Sequence, residues 1–557
     1  MGQYIGARYV PRFMGTYDAT QDYEALDVVD NGLGTSYISK IPTPPGTPLT
    51  DTDHWAIYGA SSGAIVNLQN QIDDLRSDVD ELYINVKNYG AEGDGTTDDT
   101  VAIQTALNTG ANVYFPDGVY IISNTLNYSG KKLFGTGTIK TSVALEKAVV
   151  INNSDLIEVS GISIDGNALS ATLLHISSCK QVLVHHCTMY NTENATLLNV
   201  RGCSGIYITE CDNTEVYDCV IENINRTQTS PGTISSAGIV SASDISYIHN
   251  NYINNVKCSS ETTDCDGIYV VGKLPGLSGV YTGHAIIENN TIYNCTGRFI
   301  KSQCAQVSVK SNELRIINDF ILNAMFIAID PQMGNALIEN NIIDFKHTYN
   351  RTYAFVSRSD LNSYNMNVNI TVQNNKIYGT VDSSLDVRAI LRIDCNNNGG
   401  TIDALIVNND EQVGFETVAT IMGTNMPTGV IKVTNNILRS KQIANNTSLN
   451  TLVGILFDVE DNDNSASSTK LAISSYLTQF DSVIFKNNLN ADPITTNSLD
   501  FDTLKICDFV HYDATKISNK PYGGTGAIHM QKNETMYSFT YLQATVPQPT
   551  YFGYISP

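Results

Sequence analysis

A chain of 557 residues is longer than one hydrophobic core normally supports, which leaves either several domains or one elongated repeat architecture. With 56 acidic against 33 basic residues and a formal net charge of -23, general nucleic-acid binding is excluded, because phosphate contact needs a basic face. No stretch approaches the roughly 18 apolar residues of a membrane span, and "MGQYIGARYVPRFMG" has no apolar core of signal-peptide length, so neither membrane insertion nor a secretory leader is expected.

In chain order, residues 1–60 read as a small module that holds the single tryptophan, Trp55. Residues 61–84 follow with Ile65, Leu68, Ile72, Leu75, Val79 and Leu82 at alternating steps of three and four, the seam of a short parallel coiled coil. The chain is therefore expected to oligomerise. Next comes "GAEGDGTTDDTVAIQTALN" (90–108), where glycines and aspartates precede a helix near 98–108. Thr97 or Asp98 is the expected N-cap, and Val101, Ile103, Ala106 and Leu107 the face laid on the first coil. The loop lacks the ligand order of a calcium site and the lysine of a phosphate loop, so no metal and no cofactor is expected there or elsewhere.

From residue 85 to about 500 the sequence repeats itself. "SCKQVLVHHC" (178–187) overlays "GCSGIYITEC" (202–211) at an offset of 24, and the pattern continues as "IHNN", "IENN", "VKSN", "VQNN", "IVNN", "VTNN" and "FKNN". Its terminal positions are Cys187, Cys211, Asn251, Asn290, Asn312, Asn341, Asn375, Asn409, Asn436 and Asn488, read as a structural ladder at one bend. The inward column is Val184, Ile208, Ile248, Ile287, Val309, Ile338, Val372, Ile406, Val433 and Phe485. The outward column beside it is Leu183, Tyr207, Tyr247, Ile286, Ser308, Leu337, Thr371, Leu405, Lys432 and Ile484, apolar enough to suggest side-by-side packing of chains. A coil with insertions on one side specifies an all-β fold, a right-handed single-stranded parallel β-helix. The eleven cysteines, without a CxxC pair, are expected as buried thiols in stacked turns. Residues 501–557 read as a short β-rich tip.

"NVKNYGAEGDGTTDDTVAIQTALN" followed by "ANVYFPDGVYIIS" resembles the N-terminal lead-in of the pectate-lyase-like β-helix superfamily, in particular phage tail spikes and appendage proteins. Residues 1–60 resemble a module of tail-associated proteins from phages of Gram-positive bacteria. The resemblance implies a homotrimer in the virion, as a tail spike or appendage, attached to tail or collar proteins through the N-terminal module. It further implies a host cell-surface glycopolymer, either polysaccharide or teichoic acid, as partner and substrate of a depolymerase. A non-enzymatic adhesin with the same fold is the alternative; a secreted pectinase is disfavoured by the coiled coil and the virion-like module.

Charged side chains gather most densely around 261–286 and 297–303, where "AGIVSAS", "DGIYVVG" and "GRFIKSQ" align as successive rungs and put Asp266 beside Arg298. The cluster resembles the active site of polygalacturonases in its order of acid, histidine and basic residues. On that resemblance Asp264, Asp266 and His284 are the candidate catalytic residues, and Arg298, Lys301, Tyr269 and Lys273 the candidate substrate-binding residues. Arg298 and Lys301 are three apart, which on a regular strand directs them to opposite faces. Glu210, Asp212 and Glu222 are the fallback acids, at a groove between subunits.

Overall fold

The computed structural model describes residues 10–58 and 83–467 apart from short internal segments, and isolated strands beyond them. The coiled-coil seam 61–84 lies almost wholly outside the described residues, as do Asp264 and the side chains of the C-terminal strands. Two units are distinguished, Met1–Ile84 and Asn85–Pro557.

In the first unit, four strands (Arg12–Thr16, Asp27–Asp30, Ser36–Ser39 and Trp55–Ile57) form one sheet in chain order. Trp55 packs with Tyr23 and Val29, against which Tyr17, Tyr37 and Leu49 lie. Asp27 is fully buried and accepts two 2.8 Å hydrogen bonds from the Arg12 guanidinium, so its charge is neutralised where water cannot reach it.

The second unit is a parallel β-helix with three faces. One coil runs from the second face, exemplified by Cys265–Val271, to the first face at His284–Glu288, round a bend at Asn290, and on to the third face at Thr291–Cys295. Each strand pairs in parallel with its counterparts one coil before and one coil after. The alternation of buried and half-buried residues along the first face follows from the two-residue period of a strand with one side against the core.

From Asp218 upward, the bend out of the first face is built the same way in each described coil. A residue in the left-handed region comes first: Asp218, Asn250, Asn289, Ser311, Asn340, Asn374, Asn408, Asn435 and Asp461 all have φ between 51° and 58°. Short polar side chains tolerate that conformation best. The next residue points inward. From Asn251 through Asn290, Asn312, Asn341, Asn375, Asn409, Asn436 and Asn462 to Asn488, the amide oxygen of each accepts 2.9–3.0 Å bonds from the backbone N–H and the Nδ2 of the one before. Each Nδ2 also donates to a carbonyl of the preceding coil, as Asn341 does to Val309 at 3.0 Å. No polar atom of the bend is stranded.

The register differs from the sequence expectation in the lowest coils. Leu183 pairs with Glu215 and Val184 with Val216, an offset of 32 rather than 24. The ladder therefore passes from Asn251 not to Cys211 but to Cys219, and the Cys219 N–H donates to the Asn251 oxygen at 3.0 Å. Cys211 belongs to another bend, above Cys179. Val216 replaces Ile208 in the inward column, and Val459 and Asn462 join a coil the repeat had skipped. Tyr207 moves to the second face, while Glu215 and Asp458 enter the outward column. Nine cysteines among the described residues are free and buried, as expected of stacked thiols.

The lead-in loop is structural. Asp94 accepts from the N–H and hydroxyl groups of Thr96 and Thr97. Asp99, fully buried, accepts from Glu92 N and Gly93 N at 2.7 and 3.1 Å. The segment Asp94–Asp98 is a strand and the helix is Thr100–Leu107, so its N-cap is Asp99 rather than Thr97 or Asp98. Ile103, Ala106 and Leu107 face the first coil, but Val101 is 80% exposed. Gln104 offers its amide to Asn127 as a strand would, donating to the carbonyl at 2.8 Å and accepting from the N–H at 2.9 Å, which covers an otherwise open sheet edge.

Replacing Asn341 by Leu removes the acceptor of two buried Asn312 donors and the donor to Val309. A loss of about 3 kcal/mol is expected, the scale of buried polar groups left unpaired. Denaturant unfolding checks it: an unshifted midpoint would show that the ladder does not hold the coils together.

Candidate functional site

The charged cluster expected from sequence forms, but as a buried network. Asp266 and Arg298 occupy adjacent rungs of the second face and pair at 3.1 Å. Arg298 also reaches Asp330 at 2.7 Å on the next strand, a residue the sequence argument had not singled out. From Asp330 the contacts continue to Gln332 (2.8 Å), Gln303 (2.7 Å) and the Tyr269 hydroxyl (2.5 Å), and Lys301 lies over the Tyr269 ring at 4.7 Å. Asp266 and Asp330 have no exposed surface, and Arg298 and Lys301 are nearly as deep.

Arg298 and Lys301 share one side of the strand, contrary to the spacing argument, because the strand turns a corner between them. Phe299 and Ile300 are consecutive and both fully buried. Phe299 packs edge-on against Phe326 with centroids 5.2 Å apart, while Ile300 keeps register with Ile268 and Ile329. Glycine holds the same corner one coil earlier. A Cβ on Gly267 would sit 2.7 Å from Ile292 Cγ2 and from the Phe299 carbonyl oxygen, so that coil has no room for a side chain there.

The remaining expected residues lie elsewhere. His284 is exposed at the start of a first-face strand, in register with Ile245 and Gln306, and is not part of the Asp266 network. Lys273 pairs with Asp212 at 2.7 Å. Glu210 accepts from Ser178, and Glu222 from Asn254 on the third face. Asp264 is outside the described residues. Asp266 therefore serves as one half of a clamp on Arg298.

A different assembly occupies the first face. His185, Tyr217 and His249 are in register on three successive rungs, with ring centroids 4.9 and 5.0 Å apart and planes within 8° of parallel. Tyr247 stacks on His249 at 4.1 Å. Because the rings stack along the helix axis, their faces are taken up by one another and their polar edges are turned outward. Three carboxylates flank this column: Glu158, 3.3 Å from His185 Nε2; Glu215, 3.1 Å from His249 Nε2; and Glu288, which accepts from the Tyr247 hydroxyl. Burial pushes the Glu158 carboxyl upward, but hydrogen bonds from Lys132, Ser160 and His185 outweigh it and hold the group below its usual range. The Glu288 bond raises Tyr247 to about 12, so the phenol keeps its proton as a donor. All these rings and acids are half-buried, within reach of a ligand.

Sequence reasoning missed the column because an offset of 24 separates its members. At 32, His185, Tyr217 and His249 fall into line.

Residues 83–319 match the family described as rhamnogalacturonase A/epimerase, pectate lyase-like. The pre-neck appendage protein of Bacillus phage B103 is 32% identical over 127 residues, covering 21% of this chain and 14% of that protein. The preneck appendage protein of Bacillus phage PZA is 23% identical over 278 residues, 44% of this chain and 29% of that protein. The match thus spans less than a third of either relative. Among solved structures, the Dettilon tailspike protein aligns with a TM-score of 0.40 at 14% identity, over 87% of this chain and 78% of that one. Both relatives are appendage proteins of Bacillus phages.

His175, below Tyr207 on the second face, is lowered to about 4 from 6.5 because burial penalises its charged form. Its contribution to stability is present above pH 6.5 and is lost as pH falls from 6.5 toward 4, where the unfolded chain takes up the proton first. Melting temperature followed across that interval is expected to fall less steeply in His175→Gln than in the unaltered protein. Parallel curves would remove His175 from the account.

Proposed function

With phage pre-neck appendage and tail spike proteins as relatives of this pectate-lyase-like β-helix, we propose that the chain is a receptor-binding protein of a phage tail or appendage that holds a host cell-surface glycopolymer against its first face. The observation that carries this reading is the column His185, Tyr217, His249 and Tyr247 with Glu158, Glu215 and Glu288 along it, a half-exposed row of donors and acceptors repeated rung by rung. The four-stranded N-terminal unit is the part that attaches to tail or collar proteins, and the Bacillus phages among the relatives favour a Gram-positive host.

A second reading adds cleavage of the polymer, and the family match over 83–319 favours it. In that reading Asp264, Asp266 and His284 remain the proposed acid and base groups, with Arg298, Lys301, Tyr269 and Lys273 as polymer contacts. One experiment separates the two. Purified protein is incubated with host cell walls, and bound protein and released saccharide or glycerol phosphate are measured together. Binding without release, lost in Tyr217→Ala, supports the adhesin. Release that falls on the order of 100-fold in His284→Gln, an exposed position, with unchanged melting temperature supports the depolymerase. If nothing binds, both fail.

The chain is further proposed to act as a homotrimer. Its coiled-coil seam at 61–84 favours association, and the outward column carries Ile286, Leu337 and Leu405 on alternate rungs, each half-exposed in the single chain. Leu337→Asp is expected to shift the sedimenting species from trimer toward smaller forms; an unaltered distribution would place the contact elsewhere.

A further inference from the structure

The reading of the first face as a glycopolymer site leaves open whether the polymer is charged, and the pairing of the cations bears on that question. Three basic residues could have made a trough for phosphate or uronate: Arg298, Lys301 and Lys273. None presents an open charge. Arg298 is buried between Asp266 and Asp330, Lys301 is buried over the Tyr269 ring, and Lys273 is held by Asp212. Along the first face the same holds, with Lys132 on Glu158 at 2.8 Å, Lys310 on Glu339 at 3.1 Å and Lys432 on Asp458 at 3.0 Å.

The column itself is richer in acids than in bases. Glu158, Glu215 and Glu288 flank it and Asp218 lies 3.6 Å from His186, against Lys132 on Glu158 and Lys310, which is in register with Glu288 but bound to Glu339. A polyanion laid here would meet a carboxylate on every second rung, within a protein of net charge -23. Sugar hydroxyls fit the same groups without that conflict: they donate to carboxylates and accept from imidazole and phenol edges. The spacing adds a direction. Rings recur every 4.9–5.0 Å along the axis, close to the length of one pyranose in an extended chain.

We propose that the column from Glu158 to Glu288 binds an uncharged hexose-type glycan lying parallel to the helix axis, one sugar to a rung, and that it rejects phosphodiester and uronate polymers. This rests on the reading of the first face as a glycopolymer site, and it chooses between the two polymer classes that the sequence left open.

The test uses the full-length protein on an array of neutral, amino-sugar, uronate and poly(glycerol phosphate) oligomers of graded length, followed by titration in solution. Signal is expected on neutral oligomers, tightening with each added sugar over the first few and changing little between low and high salt. Glu215→Gln, which keeps shape, and Tyr217→Ala are each expected to weaken it about tenfold or more, the scale of a lost hydrogen bond to a charged group. Lys376→Ala, exposed on the third face, serves as the unaffected control. Binding confined to uronate or poly(glycerol phosphate) overturns this inference while sparing glycopolymer recognition. Neutral binding retained in both first-face variants moves the site elsewhere and overturns it as well. An empty array overturns the inference together with the function on which it rests.

Discussion

A solenoid of parallel strands must leave each face through a bend, and the backbone N–H groups of that bend point into a core where water is absent. The stacked asparagines resolve this constraint. Each supplies the acceptor that the coil before it lacks, through two donors at 2.9–3.0 Å. A left-handed residue just ahead turns the chain, and the inward column just behind it, such as Ile338 and Val372, stacks in register from coil to coil. In the lowest coils Cys219 takes the same place, its thiol donating weakly to Val184 O at 3.7 Å. Thiol and amide are interchangeable there because both are small and both can donate.

The same economy of charge governs the outer faces. Asp266 and Asp330 share one guanidinium where the chain turns the Phe299 corner, and that shared pairing makes a buried arginine tolerable. Removing one carboxylate would leave an uncompensated charge, which is costlier than never having placed it there. A group so engaged stabilises a corner. The half-buried acids of the first face differ: Glu215 and Glu288 touch only a histidine and a tyrosine in the contacts described above, and both lie at the surface.

Much of the fold was legible because the period of the solenoid is written in residue types that only one position tolerates. Asn290, Asn312, Asn341, Asn375, Asn409 and Asn436 were identified in their ladder without coordinates. The lowest coils misled because the cysteines at 179, 187, 203, 211 and 219 are spaced in multiples of eight. Shifts of 24 and of 32 both superpose two cysteines on two others, and only the continuation to Asn251 separates them. That slip moved Tyr207 to the wrong face and hid the alignment of His185 with Tyr217 and His249. The pairing of Asp266 with Arg298 was readable from rung alignment. Its burial was not, since that depends on two consecutive inward residues, Phe299 and Ile300, which no alternating pattern predicts.

Coil length and axial rise are independent quantities in this architecture. Successive ladder asparagines are separated by as few as 22 and as many as 39 residues, yet each step is the same hydrogen-bonded contact. From Asn251 to Asn488 the chain climbs about 38 Å, at ~4.8 Å for each of the steps between neighbouring strands, however much sequence is spent between them. The β-helix thus behaves as a ruler graduated in rungs. Segments that leave the coils can lengthen, shorten or be exchanged, and the distance between the two ends of the solenoid stays where it was.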